Sequence, residues 1–137
     1  MPPNPALIEE TRAWLAEAAK DMRSAELLLA NDPELASRSA FHTQQAAEKI
    51  LKAFLTWHGR RFTKTHNLVR LGKACVKLDP TLEPISSEIA LISGWAVETR
   101  YPGTWEQPTF QEVLEALEKV RQLREAVLGS LPQEARP

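Results

Sequence analysis

The stretch "AFHTQQAAEKILKAFL", residues 40–55, decides the fold. At about 100° per residue, Ala47, Ile50, Leu51 and Phe54 fall on one side of a helix. Phe41, Gln44, Gln45, Glu48, Lys52 and Leu55 share a second arc, itself about 100° wide. Apolar residues that recur every three or four positions belong to a helix and not to a strand. The spacing predicts a helix from Glu34 to Trp57, with Gly59 placed to end it in a left-handed cap.

The same periodicity extends outward. Leu7, Trp14, Ala18, Met22, Ala25 and Leu29 define a helix over 6–30, with Pro5 suited to its first turn and "NDP" at 31–33 ending it. Thr65 is the expected N-cap of a shorter helix through Leu78. After "DPTLEP", Leu82, Ile85, Ile89, Ile92 and Ala96 predict a fourth helix. "RYPGTWEQP" at 100–108 reads as a turn-rich connection. The last helix is predicted from Thr109 to Leu128, with Phe110, Val113, Leu114, Leu117, Val120 and Val127 on its core stripe. No segment alternates with period two, and no internal repeat suggests a solenoid. The expected fold is all-α: an antiparallel up-and-down helical bundle of about five helices. It forms a single domain over 6–130, followed by a flexible tail at 131–137.

The chain has 137 residues, 43% hydrophobic and 26% charged, which suits one soluble domain with a core of its own. Its single cysteine, Cys75, has no partner for an internal disulfide and lies in an apolar stretch, where a packed thiol is expected. The N-terminus has no signal-peptide pattern and no apolar run reaches a membrane-spanning length, so a cytoplasmic protein is expected, without a membrane partner. Residues 1–48 carry eight acids against four bases. Residues 49–78 carry no acid and eight bases: Lys49, Lys52, Arg60, Arg61, Lys64, Arg70, Lys73 and Lys77. A sign asymmetry of this size points to an anionic partner.

Several chemistries are missing. The residues three before His42, His58 and His66 are Ser39, Leu55 and Thr63, so the Glu-x-x-His pairs of bundle metal sites are absent. There is no H-E-x-x-H, Walker loop or G-x-G-x-x-G, and neither Cys75 nor any serine sits in a nucleophile motif. No metal and no cofactor is expected.

Four words carry a resemblance: "AAKDMRSAELLL", "AFHTQQAAEKILKAFL", "THNLVRL" and "RYPG", in that order. In this set, of which "QQAAEKILKA" is the most specific, the chain resembles HEPN domains from about residue 10 to 128. The resemblance implies an all-α bundle that usually dimerises. It also implies nucleotide or RNA association and a minimal nucleotidyltransferase as protein partner, in toxin–antitoxin or stress-response modules. Some members of the family are ribonucleases that use an arginine and a histidine four to six residues apart, near the start of a late helix. In this chain no histidine follows Arg100.

Arg61 and His66 have the right spacing but lie earlier in the chain, and ten arginines with three histidines make such a pair expected by chance. They remain the catalytic candidates for a metal-independent endoribonuclease, with histidine as base and arginine facing the charged phosphorane. The structural alternative for His66 is a ring bonded to backbone or to a neighbouring helix. Lys52, Lys64, His66, Arg100 and Tyr101 are the candidates for binding nucleotide or RNA, with Trp105 beside them for stacking. The Gln44/Gln45/Glu48/Lys52 arc is expected to form a dimer surface or the edge of a nucleotide pocket. The main reading is a dimeric partner protein without robust catalysis of its own. The alternatives are the ribonuclease and a helical adaptor with a basic interaction face.

Overall fold

The computed structural model describes residues 4–62, 64–98 and 106–137. Among them lie six helices: α1 (Pro5–Asn31), α2 (Ala36–Trp57), α3 (Leu68–Leu78), α4 (Glu83–Ala90), α5 (Trp95–Glu98) and α6 (Phe110–Gly129). Single 3-10 turns precede α2 and α4 and follow α6, and the described residues contain no strand.

α1 and α2 form the central antiparallel pair. Ser39 Oγ donates to the Ala25 carbonyl (2.8 Å), His42 Nδ1 and Lys49 Nζ meet Asp21 (2.9 and 2.6 Å), and Lys52 lies over the Trp14 ring. As the numbers rise on α2 they fall on α1. Ala18, Ala25, Ala40, Ala46, Ala47 and Ala53 are all fully buried, and small side chains at a helix contact let the axes approach closely. The hydroxyl-to-carbonyl bond from Ser39 to Ala25 requires such an approach. The larger core residues Leu15, Ile50, Leu51, Phe54, Leu71, Ile89 and Leu123 cluster with Ala18, Ala46, Ala47 and Ala53. α6 closes the far end with Val113 and Leu117 against Ala25, Leu29 and Ala40.

Local chemistry explains the helix ends. Asn4 caps α1 by accepting from the Ala6 N–H. Thr109 and Glu112 exchange reciprocal bonds of 3.1 Å at the start of α6, a capping box. α2 ends as Gly59 predicts. Gly59 takes φ +67°, its N–H donates to the Thr56 carbonyl (3.0 Å), and the Arg60 N–H donates to Leu55 (2.9 Å).

Several expectations need correction. α2 starts at Ala36, because Pro33–Leu35 forms a 3-10 turn in which the Asp32 side chain accepts from Glu34. The cap of α3 is Asn67, which accepts from Val69 and Arg70, while Thr65 accepts from Asn67 one step earlier. The predicted fourth helix is two. The chain turns at 91–94, where Ser93 Oγ accepts from the Leu68 N–H and Gly94 favours a break. Phe110 and Leu114 are about 40% exposed, and Ala116 and Leu123 take their places on the buried stripe of α6. On α1 Thr11 and Leu15 join Ala18, Met22, Ala25 and Leu29 on the buried face, while Leu7 and Trp14 are half-buried. Residues 131–137 pack against the bundle. Ala135 is fully buried, Arg136 donates twice to the Leu131 carbonyl, and Arg12 donates to the Glu134 carbonyl.

Cys75 is fully buried with its thiol toward the Leu51 carbonyl, and burial pushes its pKa up to about 12. It is a core residue with no thiolate at neutral pH. Gly72 marks a close contact between α3 and α4. A Cβ there would collide with the Ser86 hydroxyl, while the Ser86 Cβ would sit at an ordinary 3.6 Å. Gly72→Ala is expected to destabilise the fold by about 1–3 kcal/mol in urea unfolding, despite the better helix propensity of alanine. Adding Ser86→Ala is expected to restore most of the loss.

Candidate functional site

Three consecutive turns of α2 present Gln44, Glu48 and Lys52 on the face that the 58–67 connection crosses. The glycine cap reverses the chain at Gly59 and sends it back over this face. Gln44 Nε2 donates to the His66 carbonyl (2.9 Å), with its amide oriented by a bond from Gln45 to its Oε1. The His66 ring meets Glu48 Oε1 through Nδ1 at 2.7 Å. Phe62 packs edge-on against Trp14 of α1, with 6.2 Å between ring centroids. The connection is therefore fastened to α2 by backbone and side chain, and to α1 by an aromatic pair.

Glu48 is the electrostatic centre. It is 3% exposed, and each oxygen has one cationic or polar partner: Lys52 Nζ at 2.9 Å on Oε2 and His66 Nδ1 on Oε1. Lys52 is 7% exposed, and its ammonium also lies 5.5 Å from the Trp14 centroid and 5.7 Å from that of Phe62. Two aromatic faces thus replace part of the water that the ammonium loses. A carboxylate on Nδ1 selects the tautomer with the proton there. Nε2 is left without a protein partner among the described residues, on a side chain 58% exposed.

Next to this network lies a cleft of about 580 Å³. Trp14, Phe62 and Lys52 line its inner part, with Arg60, Arg61 and Lys64 from the connection and Glu10 as its one carboxylate. Aromatic surface bordered by cations suits a planar, anionic ligand. At the end of α2, burial and the nearby Arg60 guanidinium hold the His58 pKa below its ordinary 6.5, partly offset by Asp79. His58 is accordingly neutral near pH 7 and adds no charge to the cleft.

The HEPN domain family model matches residues 11–131 of the chain, nearly its whole length. The chain belongs to the HEPN family. No curated protein and no solved structure matches it. Membership ties the protein to nucleotide- or RNA-related function, and the all-α bundle agrees with it. No helix among the described residues is long and apolar enough to cross a membrane, and none of their His, Cys, Asp and Glu side chains group as a metal site.

In this HEPN domain the sequence candidates separate. Lys52, Arg61 and Lys64 line the cleft. His66 is outside its lining but reaches the same network through Glu48. Its ring is bonded to a neighbouring helix, as the structural alternative proposed. Arg100, Tyr101 and Trp105 lie outside the described residues. Of the Gln44/Gln45/Glu48/Lys52 arc, Gln44, Glu48 and Lys52 are covered within one chain as an interior network beside the cleft, and Gln45 is half-buried at its edge. Trp14 and Phe62 were missed as site residues, and Glu48 was named only as part of the polar arc. The available signal was Glu48 and Lys52 four apart on an arc that also holds Phe41 and Leu55, where a charged pair among apolar neighbours needs shielding.

Glu48→Ala leaves a buried ammonium without its carboxylate and is expected to destabilise the fold by about 3–5 kcal/mol in urea unfolding. Lys52→Met alone should cost less, because Glu48 keeps His66. The double variant Glu48→Leu/Lys52→Met should regain most of the stability lost in Glu48→Ala, since both charges are gone.

Proposed function

We propose that this HEPN protein is a dimeric, nucleotide- or RNA-associated partner of a minimal nucleotidyltransferase, in a toxin–antitoxin or stress-response module in the cytoplasm. It does so without robust catalysis of its own. Family membership supports the class, and the cleft carries the reading: Trp14 and Phe62 supply stacking surface while Arg60, Arg61 and Lys64 supply charge for phosphate. Lys52 is committed to Glu48 and acts by fixing the cleft's inner wall. Capture of the tagged protein from native lysate is expected to return a nucleotidyltransferase. Calorimetry should show nucleotide binding that Phe62→Ala weakens by about 1–3 kcal/mol. Light scattering should show a dimer. Recovery of no nucleotidyltransferase, together with no binding of nucleotide or RNA, rejects the reading.

One observation favours a second reading, a metal-independent ribonuclease. Buried Glu48 holds His66 through Nδ1 and leaves Nε2 open, the arrangement by which a carboxylate orients a general base. Nε2 would take the 2′-hydroxyl proton of RNA as that oxygen attacks phosphorus, with Arg61 facing the phosphorane charge. The P–O5′ bond then breaks to leave a 2′,3′-cyclic phosphate, and the departing 5′-oxygen takes a proton from water. This reading expects RNA cleavage in EDTA, abolished in His66→Ala and absent on a 2′-deoxy substrate. RNA left intact after long incubation with pure protein excludes it.

A further inference from the structure

A second groove, of about 460 Å³, runs along α3. Its cations are Arg60 and Arg61 from the connection and Arg70, Lys73 and Lys77 from the helix, and no carboxylate lines it. Arg70, Lys73 and Lys77 are three and then four residues apart, so they stand on one helix face at rises of about 4.5 and 6 Å. All five are exposed, and none has a carboxylate within 4 Å among the described residues. Asp79, the next acid along the chain, is turned to the Thr81 N–H and hydroxyl. Elsewhere Lys20, Lys49, Lys52, Lys119 and Arg121 each meet a carboxylate. The cations of this groove repel one another without internal compensation, which an anionic chain laid along them would relieve.

Arg60 and Arg61 line both this groove and the aromatic cleft. The two are consequently neighbours that meet at these arginines: a cationic track along one helix face beside a stacking surface. We propose that α3 is the phosphate track of a single-stranded RNA site. Successive phosphates lie along Arg70, Lys73 and Lys77, and one unpaired base enters the Trp14–Phe62 cleft. The proposal rests on the nucleotide- or RNA-associated reading above and names the ligand class and the path. A duplex matches the charges but has no free base for the cleft. An acidic peptide matches the charges but gains nothing from the fixed step to two aromatic rings.

The test uses fluorescence anisotropy on the full-length protein with a labelled single-stranded RNA of about eight nucleotides, against a mononucleotide. The octamer is expected to bind more tightly. Each phosphate contact should contribute about 0.7 to the slope of log affinity against log salt. Arg70→Ala/Lys73→Ala/Lys77→Ala should weaken octamer binding at least about tenfold at 0.1 M salt and flatten the slope by about 2. It should leave mononucleotide binding unchanged, because these side chains are outside the aromatic cleft. Alanine at exposed helix positions keeps the helix, which circular dichroism verifies. Phe62→Ala should weaken both ligands. The track is overturned if the triple variant keeps the wild-type slope, or if duplex RNA or polyglutamate of equal charge competes as well as the octamer. Mononucleotide binding without any gain for the octamer overturns the track alone. Loss of all nucleotide and RNA binding in the wild-type protein removes the broader reading with it.

Discussion

A carboxylate buried in the middle of a helix must be neutralised by its surroundings, and the cleft of this protein is arranged around that requirement. Glu48 is almost wholly out of water, so each of its oxygens needs a donor. Lys52 supplies one from the next turn of the same helix, and His66 supplies the other from a connection that has left α2 and returned. Lys52 in turn needs shielding, which Trp14 and Phe62 provide. One interior charge thereby fixes an ammonium, two aromatic rings and the course of the 58–67 connection. The aromatic edge of the cleft follows from a stability constraint before any ligand is considered.

The cations of the chain divide into two groups. Lys49 and Lys52 are held inside by Asp21 and Glu48, on the contact between α1 and α2. Arg60, Arg61, Lys64, Arg70, Lys73 and Lys77 stand outside, on the connection and the open face of α3. Although these eight residues form one acid-free run in the sequence, the inner two belong to the architecture and the outer six carry the field that meets an anion. A buried ion pair contributes little to long-range attraction, because its charges cancel at short distance. Exposed cations without partners do the opposite.

The spacing of "RRFTKTHNL" shows how a motif changes meaning once folded. Four residues separate Arg61 from His66, yet the two serve different neighbours: Arg61 the rim of the cleft, His66 the interior carboxylate. What joins them is the Glu48–Lys52–Phe62 chain of contacts, not their separation along the sequence. The same loop supplies a helix C-cap at Gly59 and the N-cap of α3 at Asn67, so its path is constrained at both ends by backbone hydrogen bonding.

By itself the sequence determined the helical class, the family and the position of most helices, because periodicity and capping residues act over a few neighbouring positions. Ala47, Ile50, Leu51 and Phe54 are all buried as their spacing requires, and Gly59 takes the left-handed conformation that only glycine adopts cheaply. Packing decided the rest. The break at 91–94 depends on Ser93 finding the Leu68 N–H, a partner 25 residues away. The docking of residues 131–137 depends on backbone carbonyls accepting from Arg12 and Arg136. The Gln44/Glu48/Lys52 arc had the pattern of an outer surface, and only the returning connection made it interior. Local rules specify which face of a helix is polar. Whether that face meets water or another segment depends on contacts between residues far apart in the chain, and those exist only after the helices have packed.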